Sequence, residues 1–293
     1  MNMRGRPVSK TVVITGASTG IGFATSQVLA NAGYDVFAGV RSPGAGEALT
    51  RAAADFTGKI TAIQLEVTDQ ASVDAAASRV KAALGGEPLF GLVNNAGIGL
   101  GGPLLHQPID EIRQVFEVNV IGLIRVTQAM APMLAATPAS GARPGRIVNI
   151  SSVGGKFGAP FLGAYVGSKH AVEGLSESLR RELMLFGIDV IIIGPGAVLT
   201  AIWDKAETAD TRYLENTPYA DSVRQFTDYF IKSGRQGLPA ERLGEAVLKA
   251  LTADKPKTRY ALVKGPLVNW VIPRLLPKRT VDRTIARQLG FIK

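Results

Sequence analysis

The chain has 293 residues, 46% of them hydrophobic and 19% charged, which is enough apolar material to bury a large core in one α/β unit and excludes general disorder. It has no cysteine and only two histidines, His106 and His170, so disulfides, thiolate nucleophiles, cysteine-held metals and three-histidine metal sites are excluded; no metal is expected. The net charge of +9 sits in one place: between 255 and 293 ten basic residues face one acid, Asp282, so residues 1–254 sum to zero.

Residues 1–10 carry Arg4, Arg6 and Lys10 with no apolar run behind them, so a secretory leader is not expected and the expected location is the cytoplasm. Short β-branched runs then alternate with Ala-rich helical stretches. Strands are predicted at 11–15, 35–40, 59–65, 89–93, 146–150, 189–193 and 259–263. Helices are predicted at 20–31, 47–55, 70–84, 110–135, 163–186 and 240–251. This alternation implies a parallel sheet with right-handed crossovers, whose ligands bind beyond the carboxyl ends of the strands. No apolar stretch approaches the roughly 18 residues of a membrane span.

The first strand runs into Thr15-Gly16-Ala17-Ser18-Thr19-Gly20-Ile21-Gly22 and a helix. Glycines there let the backbone approach a pyrophosphate, and the helix N-terminus favours an anion; the same spacing also suits a plain tight turn. The second strand ends in Gly39-Val40-Arg41-Ser42, with a guanidinium for a 2′-phosphate and no acid for a ribose hydroxyl, which favours NADP(H) over NAD(H). Arg41 as an ordinary surface residue is the alternative. Glu66-Val67 follows the third strand at a place suited to adenine, and Asp69 reads as the cap of the helix from residue 70.

Within the helix from 110, Asn119 is an odd amide among Val118, Val120 and Ile121: either a buried polar group satisfied by backbone or a holder of water. Residues 137–145 read as a Pro/Gly-rich surface loop. Ser151 and Ser152 end the fifth strand, and Gly154-Gly155 permit close approach. Tyr165 and Lys169 then lie four apart on one helical face. A phenol with a pKa of about 10 needs help to act as a base; a cation about 4 Å away at an effective dielectric near 20 contributes roughly 4 kcal/mol, about three pK units. A hydroxyl and an activated phenol converging on one substrate oxygen is the chemistry expected.

These residues resemble the short-chain dehydrogenases/reductases. The resemblance rests on Thr15-Gly-x3-Gly-x-Gly22, Asn94-Asn95-Ala96-Gly97, Asn119, Ser152, Tyr165-x3-Lys169 and Pro195-Gly196 with Thr200, in order over about residues 9–200. It implies a single Rossmann-like, doubly wound parallel sheet of about seven strands flanked by helices, and NAD(P)-dependent hydride transfer between nicotinamide and a carbonyl or secondary alcohol. By resemblance Tyr165 is the general acid/base, Lys169 its electrostatic partner, Ser152 the carbonyl polariser and Asn119 a support of a water relay. Gly16, Ser18, Gly20, Ile21 and Gly22 would line the pyrophosphate and Asn95 the adjoining ribose, Arg41, Glu66 and Val67 would meet the adenosine, Lys169 would hold the nicotinamide ribose with Tyr165 also at the cofactor, and Val198 and Thr200 would meet the carboxamide and phosphates. Glu66-Val67 departs from the Asp-aliphatic pair usual there, and Thr19 replaces a basic residue, so Arg41 carries the NADP inference alone. Such proteins associate through their long helices, so a homodimer or homotetramer is expected. A non-catalytic nucleotide sensor of the same fold is the alternative.

His170 reads as a packing residue of its helix and His106 as a loop residue at the rim of the substrate pocket. Residues 201–237, the place of a substrate lid, carry Trp203, Tyr213, Tyr219, Phe226, Tyr229 and Phe230; they suit a lipophilic small-molecule substrate, or else pack the lid on the core. The end of the chain, 265–293, resembles the C-terminal extension of the retinol and steroid dehydrogenase-like branch. Its 265–279 segment would close the pocket with apolar side chains, or rest weakly on an anionic membrane; by default a basic tail is simply solvated, and a nucleic-acid partner is not expected.

Overall fold

The computed structural model describes residues 10–135, 143–207 and 214–292. Arg4, Arg6, Tyr213, Lys293 and most of the expected loop at 137–145 lie outside them.

Seven parallel strands form the sheet expected: β1 Thr11–Ile14, β2 Asp35–Val40, β3 Ile60–Gln64, β4 Gly91–Asn94, β5 Arg146–Ile150, β6 Asp189–Pro195 and, last in sequence, β9 Arg259–Leu262, in the order β3-β2-β1-β4-β5-β6-β9. A separate two-stranded ribbon pairs β7 Val198–Leu199 with β8 Leu238–Pro239. The strands read as apolar runs because both faces are buried. Val12 and Ile14 face one core and Val13 the other, the alternation a strand imposes.

On the first face lie helices α1 Gly20–Asn31, α2 Glu47–Ala52 and α9 Ala240–Thr252, with Leu29, Leu49, Leu243 and Val247 buried against the sheet. α1 and α9 pack closely, and a Cβ on Gly244 would come within 2.9 Å of the Val28 side chain. On the opposite face α3 Gln70–Leu84 and α5 Gly122–Leu134 bury Val73, Val80, Val126 and Met130. The Asp69 carboxylate caps α3 through the Ala71 N–H at 2.9 Å, as its position predicts. Alongside runs α6 Gly163–Glu182.

Three expected helices differ in detail. The stretch at 47–55 is shorter, and a 3₁₀ turn, Pro43–Gly46, precedes α2. The helix from 110 is α4 Ile109–Phe116 joined to α5 by a π turn, Glu117–Ile121. The stretch at 163–186 ends in a 3₁₀ turn, Leu183–Phe186.

Beyond the sheet, α7 Ile202–Glu207 and α8 Ala220–Gly234 fill the lid region, and the chain ends in a π turn Leu267–Val271, α10 Ile272–Leu275 and α11 Lys278–Gln288. The extension is therefore not a loose solvated tail. Leu289 is buried, Phe291 meets Phe161 edge-on at 5.8 Å, and Trp270 lies against Phe157 and Arg259. Its other apolar side chains do not close a pocket either: Leu267, Val268 and Leu275 are 64%, 62% and 79% exposed. Among the described residues no helix is long and apolar enough to cross a membrane.

Candidate active site

The loop between β1 and α1 is shaped by its glycines. Gly16 (φ +65°) and Gly20 (φ +59°) adopt the left-handed conformation, and a Cβ on Gly16 would sit 2.8 Å from the Ala96 Cα. Asn95 fixes this loop rather than facing outward: its Nδ2 donates to the Thr15 and Gly16 carbonyls at 2.9 and 3.0 Å. Thr15, named in the sequence as the head of the glycine motif but given no role there, receives the Asn95 and Ala96 N–H groups on its hydroxyl. No side chain caps α1 and its first turn has no acid, so its N-terminal N–H groups and positive dipole end are open to an anion. Thr200 lies opposite, its methyl 3.3 Å from where a Gly20 Cβ would be. Ser18 and Ile21 sit on the same turn, and Val198 is buried in β7.

Two of the adenosine-side residues are engaged elsewhere. Glu66 Oε1 accepts from the backbone N–H and hydroxyl of Thr68, closing its own turn, and Val67 is buried with its carbonyl taken by Arg125. Arg41 is exposed at the end of β2 and, among the described residues, forms no ion pair or hydrogen bond.

At the carboxyl end of β5 the Ser152 hydroxyl accepts the Gly154 N–H at 3.0 Å and faces the Pro195 carbonyl at 3.5 Å. Gly99 and Gly154 leave room on two sides of the Tyr165 ring, where an added Cβ would come to 3.6 Å. Lys169 is buried on the same face of α6 and donates to the Ile150 carbonyl at 2.9 Å, with its ammonium 5.8 Å from the Tyr165 ring centre. Burial pushes the Tyr165 phenol above its ordinary value, and the hydrogen bond with Ser152 opposes this more weakly. Burial also pulls Lys169 down to about 8, against the charge of Glu173. The expected lowering of the phenol by a close cation is thus not met in this arrangement: the ammonium points to a strand carbonyl, and desolvation outweighs it.

Asn119 lies in the π turn and is satisfied in both directions. Its Oδ1 accepts from the Ile98 N–H at 2.8 Å, and its Nδ2 donates to the Ile98 carbonyl and Ser168 hydroxyl, both at 2.9 Å. Ser168, to which the sequence assigned no role, donates its hydroxyl hydrogen bond to the Tyr165 carbonyl at 2.7 Å. Asn119 therefore ties the loop after β4 to α6. His170 corrects an expectation: it is exposed, not packed, with Nδ1 3.0 Å from the Val166 carbonyl. His106 lies edge-on to Tyr219, with ring centres 5.6 Å apart.

The lid aromatics pack on one another. Trp203 and Phe230, Phe226 and Phe230, and Phe161 with Tyr219 and Phe226 have ring centres 5.1 to 6.1 Å apart, while Tyr229 is 51% exposed. Phe161, in the left-handed region at φ +61°, anchors this cluster four residues before Tyr165. Among the described residues no group of acids and histidines suits a metal ion.

A glycine cradle with two left-handed residues, an uncapped helix N-terminus and an exposed guanidinium at the next strand end fit a dinucleotide. Comparison with known proteins agrees. The family model described as short chain dehydrogenase matches residues 10–211. The chain is similar to an NADPH-dependent 3-dehydrocapnine reductase of Ornithobacterium rhinotracheale, 34% identical over 94% of this chain and 96% of the relative. It is similar to a 3-ketodihydrosphingosine reductase of Bacteroides thetaiotaomicron, 33% identical over 88% of each chain. Its fold matches the crystal structure of a short-chain dehydrogenase/reductase from Burkholderia phymatum in complex with NAD, with a TM-score of 0.76, 25% identity, and 94% and 95% of the two chains covered.

Proposed function

The chain belongs to the short-chain dehydrogenase family and is an NAD(P)-dependent oxidoreductase of carbonyl and alcohol groups, and from that premise we propose that it reduces a lipophilic ketone reversibly, with NADPH preferred and Tyr165 as proton donor. The observation that carries the reading is the convergence of Ser152, Tyr165 and Lys169 at the carboxyl end of β5.

The glycine loop, the first turn of α1 and Thr200 would hold the pyrophosphate, Arg41 the 2′-phosphate, and Tyr165 and Lys169 the nicotinamide ribose. The dinucleotide, when bound, supplies the hydride. Ser152 Oγ donates a hydrogen bond to the carbonyl oxygen and orients it. Tyr165 Oη gives that oxygen its proton, and a phenol held above its ordinary value is protonated and ready to do so at neutral pH. The Lys169 cation stabilises the phenolate left behind. Asn119 keeps the loop after β4 against α6, and so keeps Tyr165 in place.

A lipophilic substrate is supported by the aromatic cluster around Phe161, four residues before Tyr165, and by the named substrates of the two relatives. Segment 201–237 would act as the lid of a single catalytic domain. Ile109 and Ile121, exposed on the helices flanking α6, support self-association. The outward apolar and basic side chains of the extension support a weak contact with anionic lipid. The test of the central reading is Tyr165→Phe, assayed with NADPH and 3-ketodihydrosphingosine. Turnover should vanish while nucleotide binding, followed by fluorescence, stays within about threefold; persisting turnover would overturn it.

A further inference from the structure

Glu173 lies one helical turn beyond Lys169 and is 2% exposed, a buried carboxylate that the reaction outlined above does not use. It is held by Arg259, at the start of β9, whose Nε donates to both carboxylate oxygens at 3.1 and 3.0 Å. Lys156, in the turn that follows Ser152, approaches the same carboxylate at 3.4 Å. The guanidinium does more than neutralise Glu173: its Nη2 donates to the main-chain carbonyl of Ser152 at 3.2 Å. One planar cation therefore joins Ser152, just past β5, to the helix that carries Tyr165 and Lys169, a task for which the fork of arginine is suited and the point charge of lysine is not.

The outer face of that guanidinium is covered from the C-terminal extension. Arg259 lies over the Trp270 ring at 4.4 Å, and Arg274 covers Trp270 at 4.8 Å. The same indole meets Phe157 edge-on at 5.5 Å, in the loop between Ser152 and Tyr165. Trp270 thus touches both the cation that holds Ser152 and the loop that leads to the phenol.

We infer that Glu173, Arg259 and Trp270 form a positioning chain through which the docked C-terminal extension holds Ser152 and Lys169 in their reactive places. The inference rests on the assignment of Ser152, Tyr165 and Lys169 as the reacting set. In it the extension is part of the catalytic frame. Trp270→Ala leaves the strand and helix intact but uncovers the guanidinium. Arg259→Lys keeps the charge beside Glu173 but loses the second arm to Ser152.

The experiment measures kcat, KM and the pH profile of kcat for the full-length protein with NADPH and 3-ketodihydrosphingosine, beside Tyr165→Phe as control. Trp270→Ala and Arg259→Lys should each lower kcat on the order of ten- to a hundredfold, well beyond any change in the NADPH dissociation constant, and Trp270→Phe should recover most of the loss. The charged and titratable groups around Lys169 are Tyr165 and Glu173 on α6, Lys156 after β5 and Arg259 on β9. Glu173→Gln, which removes the one anion among them, should move the alkaline fall of kcat to lower pH, a change that mere loosening of the fold does not produce. Where Glu173→Gln or Arg259→Lys fails to fold, Trp270→Ala decides.

If the probe ketone is not turned over, the titration midpoint of Lys169 is followed by NMR of lysine-labelled protein. A downward move in Glu173→Gln or Trp270→Ala supports the chain, and an unmoved midpoint in both overturns it. If Tyr165→Phe is inactive while Trp270→Ala and Arg259→Lys match the parent in kcat and pH profile, the positioning chain is wrong and the reacting set stands. If Tyr165→Phe stays active, the reacting set falls, and the positioning chain with it.

Discussion

Lys169 is asked to be a cation beside a phenol and is buried in a place that disfavours the cation, and the balance fixes a pH at which the site should fail. With Lys169 near 8 and Tyr165 above its ordinary value, the phenol is protonated and the ammonium charged below pH 8. Carbonyl reduction should then hold steady below about pH 8 and fall above it as the phenolate loses its counter-charge. Lys169→Arg, charged at any accessible pH, should move the fall upward; an unchanged fall in that variant would remove Lys169 from the reacting set. At the other end of the cofactor cradle Arg41 has no partner among the described residues. A charge-assisted pair with a 2′-phosphate is worth about 1.5–3 kcal/mol, so Arg41→Ala should weaken NADPH roughly ten- to a hundredfold and leave NADH unchanged. Equal weakening of both would make Arg41 a bystander. These residues were legible because each carries a local signal: four-residue spacing for Tyr165 and Lys169, a strand end without an acid for Arg41. Glu66 was harder. Its position suggested adenine, yet an acid two residues before a threonine hydroxyl can close its own turn, and it does.

The loop from β1 to α1 shows an element fixed by backbone geometry more than by side chains. Gly16→Ala places a methyl against the Ala96 backbone in a left-handed conformation, a strain of order 1–3 kcal/mol. It should lower the melting temperature and weaken NADPH and NADH alike, measured by thermal unfolding and fluorescence titration; unaltered binding would show that the turn does not hold the pyrophosphate. The strands were legible because burial on both faces leaves continuous apolar runs. The π turn was not, since the extra residue it accommodates leaves no mark on composition, and the only hint was Asn119 among aliphatic neighbours. The lid helix had a signal that aromatic content obscured. Tyr219, Val223, Phe226 and Phe230 are spaced four, three and four, the period of one helical face, and they form the packed side of α8. In the same way Val281 and Ile285 are spaced four apart in α11, with Leu289 four further on at its end. What no local pattern could show is that Trp270 would come to rest on Arg259, because that pairing depends on β9 lying beside β6 at the sheet edge.

At the scale of the whole molecule the charge is divided: residues 1–254 are neutral and residues 255–293, the last sheet strand and the extension after it, carry the entire net +9. The structure gives this division a direction. Trp270 and Leu289 turn inward and the half-exposed Phe291 meets Phe161, while Leu267, Val268 and Leu275 turn to solvent on the segment that also bears Lys264, Arg274, Lys278 and Arg279. An apolar ridge bordered by cations is suited to an anionic bilayer, where a few side chains enter the headgroup region and the bases hold the surface, each contributing about 1 kcal/mol. Such attraction is screened within a Debye length of about 10 Å at 0.1 M salt. The full-length protein should therefore co-sediment with phosphatidylserine-containing liposomes at low ionic strength, much less with phosphatidylcholine alone, and should be released by about 0.5 M salt. Deleting the extension is a poor test, since it also removes Trp270 from the reacting frame. Leu267→Ser with Leu275→Ser changes only outward side chains, and should reduce sedimentation while leaving the thermal midpoint unchanged. Binding that persists in high salt, or is absent at low salt, would leave the basic extension with its inward role alone.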